Sequence, residues 1–154
     1  MPSDYVADLI DHKKRVAMHM QTIASDLFRR AALHDNSKFS PKEFEDYEKA
    51  FPELQKYAYG TPEFKTALGT IDAAIKHHYW LNDHHPEHFI DGVNGMTLVQ
   101  IVEMVCDWLA ASGRSGTPLS MGLEINKARF HIDDQLALII QNTVEWYDLQ
   151  KSLS

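Results

Sequence analysis

Histidine is the residue type whose number and spacing point most directly to chemistry in this chain. Nine histidines occur among 154 residues, most of them around His34-Asp35 or between His77 and His88. A neutral imidazole and a carboxylate are good ligands for a divalent ion, and adjacent His and Asp residues at the end of a helix can present both to the same ion. The sequence therefore predicts a metal site whose first two ligands are His34 and Asp35.

A third ligand is expected from the segment before His34, where His12 and His19 are the candidates. One unbroken helix would separate His12 from His34 by roughly 33 Å, at about 1.5 Å per residue. We therefore predict that this helix folds back as a hairpin with its turn near Ile23, beside a helix-cap signal at Ser25-Asp26, because residues equally distant from such a turn lie opposite each other. A turn near Ile23 favours His12 as the third ligand. A turn that placed His19 opposite His34 would lie inside an apolar stretch.

Asp107 is the predicted fourth ligand. It is flanked by Cys106 and Trp108, and a carboxylate is costly to bury among such neighbours unless it is paired. Glu103 lies four residues earlier on the same helical face, where it could be a second carboxylate ligand, a partner that orients a ligand histidine, or a general base. The sequence leaves these three roles open.

The segment from 77 to 88 carries two rows of polar side chains if it is helical. One row holds His78, Asn82 and His85, and the other holds His77 and His84. Either row could complete a second metal site or bind phosphate, and we expect at most one of them to face the site. Taken separately, His77, His84 and His88 are more often surface residues.

Helices must position all of these side chains, because apolar residues recur at helical spacing along the chain and no alternating strand pattern occurs. Capping signals place helix starts after Ser3, at Ser40-Pro41-Lys42-Glu43, after Thr61 and after Thr97. The predicted helices run over residues 4–35, 41–52, 62–84, 98–112 and 133–153, with a shorter helical piece before the last. Residues 85–95 and 113–120 are predicted loops. We expect an all-α fold, a single compact bundle of about five to seven helices forming one domain over residues 1–154.

The composition excludes several classes of protein. The formal net charge is −7, so the chain has no excess of cations with which to coat a nucleic-acid polymer. It contains no apolar run long enough to cross a membrane and a single cysteine, Cys106, which together favour a cytoplasmic location. A compact acidic protein is better suited to a small-molecule ligand, and a homo-oligomer is compatible with the sequence.

Two stretches, His12-Lys-Lys-Arg-Val and Ala31-Ala-Leu-His34-Asp35-Asn-Ser-Lys38, followed by a late Asp, resemble the HD superfamily of metal-dependent phosphohydrolases. The resemblance implies that His12, His34, Asp35 and Asp107 bind the metal and that Lys38 lies near the substrate phosphate. The motif HHPEHFIDG resembles the extra histidines of superfamily members that bind two metals, which implies further ligands at His78 and His85. HDNSKFSPKEF, HHYWLNDHHPEHF and EMVCDW together resemble a family of small, uncharacterised HD-like proteins of bacteria and their phages.

These observations predict a metal-dependent phosphohydrolase acting on a small phosphorylated substrate, with a nucleotide preferred. One or two divalent ions (Mn, Mg, Co, Zn or Fe) would lower the pKa of a bound water while Lys38 stabilises the phosphoryl group. His84, Asn82 or Glu103 would position the reacting groups or donate a proton to them. Asn82 and His85 would also contact the substrate. Two alternatives remain: a di-iron oxygenase, and a non-enzymatic module in which a metal stabilises a helical bundle.

Overall fold

The computed structural model describes residues 3–115 and 119–153. Within those residues it contains seven α-helices and no strand, which confirms the predicted all-α class. The helices are α1 (Asp4–Leu33), α2 (Phe44–Leu54), α3 (Pro62–Gly69), α4 (Asp72–Leu81), α5 (Leu98–Ser115), α6 (Leu119–Phe130) and α7 (Asp134–Leu153). Three 3-10 turns, Asn36–Phe39, Pro86–His88 and Gly92–Gly95, lie between them.

The contacts between residues divide the chain into two units, Met1–His34 and Asp35–Ser154. The first unit consists of α1, and the second contains all the remaining helices. The prediction of a single domain over residues 1–154 stays a prediction, and each unit is described in its own right.

α1 is one unbroken helix, so the predicted hairpin near Ile23 is wrong. It begins after Ser3, whose hydroxyl accepts a hydrogen bond from the backbone N–H of Val6, and it ends thirty residues later at Leu33. Neither glycine nor proline interrupts this stretch, so no local signal breaks the backbone hydrogen bonding. His12 and His34 are therefore roughly 33 Å apart along one helix, at about 1.5 Å per residue.

Several other boundaries differ from the predicted ones. α2 begins at Phe44 rather than at Pro41 and passes through Pro52 before it ends at Leu54. The predicted helix over residues 62–84 is two helices, α3 and α4, separated at Thr70 and Ile71. α5 continues past the predicted stop at Gly113 to Ser115, and of the predicted loop only residues 116–118 lie outside the described part.

Besides the start after Ser3, three predicted helix starts are confirmed, at Thr61, at Thr97 and near Asp133, and a local cap is present at each. The hydroxyl of Thr61 accepts from the N–H of Phe64 at the start of α3. Thr97 and Gln100 cap each other at the start of α5, with the Thr97 N–H bonded to the Gln100 side chain at 2.7 Å. The Asp133 carboxylate accepts from the N–H of Leu136 at the start of α7. Such caps satisfy backbone donors that the first turn leaves unpaired.

Two apolar clusters in the second unit hold the helices that carry the polar residues. α5, α6 and α7 pack through a cluster that includes Met104, Leu123 and Ile140. α2 and α4 pack through Ala50 and Ala74, together with Ile71. Met104 directly follows Glu103 on α5, and Ala74 is one turn from His77 and His78 on α4, so this packing fixes the elements that carry the polar side chains.

No helix among the described residues is long and apolar enough to cross a membrane.

Candidate metal centre

Asp35 opens the second unit in a left-handed backbone conformation, with φ at 58°. Asp is one of the few residues other than glycine that adopt this conformation without a large steric penalty. The backbone then enters the 3-10 turn Asn36–Phe39, which carries Ser37 and Lys38. This tight turn brings the side chains of Asp35 and Ser37 to the histidines of the 77–88 segment.

Four side chains meet at one point in the second unit: Asp35, His78, His84 and His85. One potential ligand atom from each lies within 4.8 Å of the other three. His78 Nε2 is 3.2 Å from Asp35 Oδ1 and 2.9 Å from His85 Nε2, and His84 Nε2 is 3.5 Å from Asp35 Oδ1. His78 and His84 are each only 2% exposed.

These separations match those of ligands that share one ion. Bonds of about 2.0–2.1 Å separate neighbouring ligand atoms by about 3.4 Å in a tetrahedral site, and by about 2.9 Å in an octahedral one. The three observed distances span this range, from 2.9 to 3.5 Å. The donor set therefore fits a divalent ion without a large rearrangement of the side chains.

Glu43 contacts the Nδ1 side of the His78 ring, away from the point where Asp35 and the three histidines meet. Its carboxylate is 0% exposed. Oε2 lies 3.1 Å from His78 Nδ1 and accepts a hydrogen bond from Ser37 Oγ at 2.9 Å, and Oε1 lies 2.7 Å from His77 Nδ1. A carboxylate on Nδ1 assigns the ring proton to that nitrogen and directs the Nε2 lone pair to the metal.

Glu103 plays the same part for His84. Its Oε1 lies 3.4 Å from His84 Nδ1, and its side chain is 11% exposed. If both Nδ1 atoms carry the ring proton, the unprotonated Nε2 atoms of His78 and His84 both lie close to the Asp35 carboxylate, at 3.2 and 3.5 Å. Acceptor atoms in such an arrangement repel one another, and a cation between them converts the repulsion into coordination.

His85 is also in a form suited to a ligand. Burial, reinforced by the neighbouring His84 and His78, lowers the pKa of His85 to about 3. Its imidazole is therefore neutral near pH 7. Metal ions bind neutral imidazole, so no proton has to be displaced from this side chain.

Further charged groups border the cluster. The Lys38 ammonium lies 2.5 Å from Asp35 Oδ2, and the side chain is 38% exposed. A carboxylate oxygen of Asp107 lies within 4.8 Å of one on Asp35. The cluster is thus next to both a cation that solvent can reach and a second carboxylate.

Asn82 is engaged within the protein scaffold. Its amide donates to Ser37 Oγ at 2.7 Å and to the backbone carbonyl of His78 at 2.8 Å. These bonds connect the 3-10 turn after Asp35 to the end of α4. Asn82 therefore helps to position these two elements, and its predicted role in substrate binding stays a prediction.

The structure thus unites Asp35, His78 and His85 from the predicted ligands and adds His84, which the sequence assigned to catalysis. The expectation that only one row of the 77–88 segment faces the site is wrong. α4 ends at Leu81, so His84 lies outside the helix and the helical rows do not apply to it.

Three further predicted ligands are Asp107, His12 and His34. Asp107 borders the cluster beside Asp35, and its assignment as a ligand stays a prediction. His12 belongs to the middle of α1, and the unbroken helix prevents it from sharing an ion with His34. His34 is the C-cap of α1 and ends the first unit, so its assignment as a ligand stays a prediction. Glu103 contacts His84, which matches the second of its three predicted roles.

Sequence reasoning missed Glu43 and Ser37. The pattern Ser40-Pro41-Lys42-Glu43 predicted that Glu43 closes a capping box, whereas its carboxylate contacts Ser37 and two histidines. A glutamate close to a His-Asp pair is a weak signal by itself, and only its burial distinguishes it from surface glutamates.

Comparison with known proteins gives a family without a known activity. No curated protein matches the chain, and no solved structure matches it. A family model described as a family of unknown function, DUF5662, matches residues 1–146. The chain therefore belongs to the DUF5662 family.

Proposed function

We propose that this protein is a metal-dependent hydrolase of small phosphorylated molecules, with one divalent ion bound by Asp35, His78, His84 and His85. The observation that carries the proposal is the convergence of three imidazole rings and the Asp35 carboxylate, whose ligand atoms lie within 4.8 Å of one another, with Glu43 and Glu103 at the Nδ1 atoms of two of the rings. Such carboxylate–histidine–metal arrangements are typical of protein metal sites.

The chemistry of the four ligands narrows the choice of metal. Three nitrogens and one carboxylate suit Zn, Fe, Co or Mn better than Mg or Ca, which prefer sites built from oxygen alone. A five- or six-coordinate ion with these ligands keeps at least one position for water. When bound, the ion would supply a hydroxide nucleophile near neutral pH.

The residues around the ion favour an anionic substrate. The divalent ion and the Lys38 ammonium are next to the carboxylates of Asp35 and Asp107, and these four groups together carry a net charge of +1. The carboxylates of Glu43 and Glu103 lie behind the ligand rings. A phosphate group could bind the metal through one oxygen and Lys38 through another, in the geometry used to stabilise charge in phosphoryl transfer. Asp107, near Asp35, would accept a proton from the water as its oxygen bonds to phosphorus. The bond from phosphorus to the ester oxygen would break, and this leaving oxygen would take up a proton from solvent. The resemblance to HD phosphohydrolases and the preference for a nucleotide belong to this proposal.

The test is hydrolysis of a panel of phosphomonoesters, nucleoside triphosphates and phosphodiesters by protein loaded in turn with Mn, Co, Zn and Fe. We expect turnover that chelation abolishes and that His85→Gln lowers at least about 100-fold. His88→Gln is the matched control: this exposed histidine of the same segment bonds the Tyr79 carbonyl, not the cluster, and its change should leave turnover intact.

Other outcomes would replace the proposal. Iron in the purified protein together with oxygen consumption would favour an oxygenase. A tightly held metal without turnover on any substrate of the panel would favour a structural centre, in which the ion stabilises the fold.

A further inference from the structure

The first unit presents an apolar surface that the proposed hydrolase activity does not use. None of the thirty residues of α1 is buried. Val6, Leu9, Val16, Met20 and Ile23 expose between 40% and 65% of their surface. Stable helices in proteins normally cover such an apolar face by packing.

The spacing of these residues identifies the kind of surface that would cover them. Positions three and four residues apart alternate along the whole helix: Val6, Leu9, Lys13, Val16, Met20, Ile23, Leu27 and Arg30. The average spacing is about 3.5 residues, which is the period of a helix that packs along its length against another helix. A partner that bound α1 through a sheet or a groove would not require apolar residues at this period.

We propose that the partner is α1 of a second copy of this chain, in antiparallel orientation. In one register of the antiparallel pair, every residue of this row lies opposite a residue of the same row in the second copy. This register sets Val16 opposite Met20, Lys13 opposite Ile23 and Leu9 opposite Leu27 of the second copy. Both members of each pair are exposed from Lys13 to Ile23. Toward the ends, Leu9 and Val6 lie opposite Leu27 and Arg30, which are half-buried.

Charge decides between the two orientations. In a parallel pair, Lys13 would face Lys13 in the middle of the apolar row, where like charges repel. The first turns, which carry Asp4, Asp8 and Asp11, would also lie together. In the antiparallel pair, the stem of Lys13 packs on Ile23 while its ammonium reaches solvent.

The antiparallel pair also places opposite charges at its ends. The acidic first turns of one helix lie near the last turns of the other, where Arg29 and Arg30 both bond Asp26 of their own helix and leave a net charge of +1. Opposite charges at such flanking positions favour one orientation and register of a helix pair over the alternatives. Periodicity, length and charge thus agree on a second copy of this chain.

The first test measures the mass of the full-length protein by analytical ultracentrifugation from about 1 to about 100 µM, since dimers dissociate on dilution. We expect a dimer for the natural chain and a loss of affinity on the order of 100-fold or more for Met20→Glu, because each dimer would bury two added carboxylates. Met18→Glu is the matched control: this methionine is 55% exposed on the opposite face of α1, and its change should leave the dimer intact.

Two results would overturn dimer formation through this surface. One is a natural chain that remains monomeric at the highest concentration. The other is a dimer that survives both Met20→Glu and Ile23→Lys, with circular dichroism verifying that the variants stay helical.

A second test measures orientation with a nitroxide label at Asp8→Cys in a Cys106→Ser background. In the antiparallel pair the two labels are offset along the helix axis by twenty residues, about 30 Å. In a parallel pair they would lie about 10–20 Å apart, close to the distance between packed helices. A short distance would overturn the antiparallel arrangement.

Discussion

Glu43→Gln removes the negative charge behind His78 while it keeps the shape of the side chain. The carboxylate is fully buried, and its two oxygens contact Ser37 Oγ at 2.9 Å, His78 Nδ1 at 3.1 Å and His77 Nδ1 at 2.7 Å. The amide offers one oxygen and an NH2 group in place of two acceptors. One of the histidine contacts is therefore lost or is converted into a clash between two donors.

The expected loss follows from the way this carboxylate acts on the metal. Replacing such a partner of a ligand histidine weakens metal binding by about 10–100-fold, which corresponds to about 1.4–2.7 kcal/mol. The metal-free protein should also lose stability by about 1–3 kcal/mol, since a buried polar contact is left unsatisfied.

Cobalt titration separates these two effects, because Co2+ bound to nitrogen and oxygen ligands absorbs visible light in proportion to occupancy. The control is Glu45→Gln, a charge removal two residues away in a side chain that is 75% exposed and pairs with Lys49. We expect this variant to bind as the natural chain does. An unchanged cobalt affinity in Glu43→Gln, with the fold intact by circular dichroism, would refute the assignment of Glu43 as the residue that orients His78.

Three further predictions concern the binding of phosphate, the core and the alkaline limit of stability. Lys38→Met should lower kcat/KM for phosphate esters by about 100-fold, whereas Lys49→Met, on an exposed face of α2, should not; equal values would remove Lys38 from substrate binding. Met104→Ala should lower the free energy of unfolding by about 2–5 kcal/mol in urea titrations, because Met104 is 1% exposed; a loss below about 0.5 kcal/mol would contradict its place in the core. Burial, assisted by the charge of Glu43, raises the pKa of Tyr47 above its ordinary value of 10.0. The neutral phenol therefore contributes fully to the free energy of unfolding below pH 10, and this contribution is lost as the pH rises above 10. Tyr47→Phe should therefore reduce the loss of stability between pH 10 and 11.5, by up to about 1.4 kcal/mol per pH unit, and equal slopes for both proteins would contradict this assignment.

Local chemistry explains which parts of the fold were predictable. Ser3, Thr61 and Thr97 begin helices because a hydroxyl satisfies backbone donors a few residues away, and that pattern is visible in the sequence. The hairpin at Ile23 has a weaker basis: the requirement that His12 meet His34, and a cap signal at Ser25-Asp26. A cap can begin a second helix only where the first one ends, and the chain between the two histidines contains neither glycine nor proline.

The metal cluster was predictable in its residue types but not in its membership. Asp35, His78 and His85 follow from the density of histidines around a His-Asp pair. His84 joins them because α4 ends at Leu81, and a boundary of this kind depends on tertiary packing as well as on local preference. The burial of Glu43 is likewise a tertiary property, since its neighbours in the sequence suggest only a helix start.

Metal content tests the central claim most directly. The natural chain, His84→Gln and His12→Gln would each be loaded with zinc, dialysed and measured by mass spectrometry. The ligand assignment predicts about one tightly held ion per chain in the natural protein and in His12→Gln, and a loss of that ion in His84→Gln. Full occupancy in His84→Gln, or loss of the ion in His12→Gln, would contradict it.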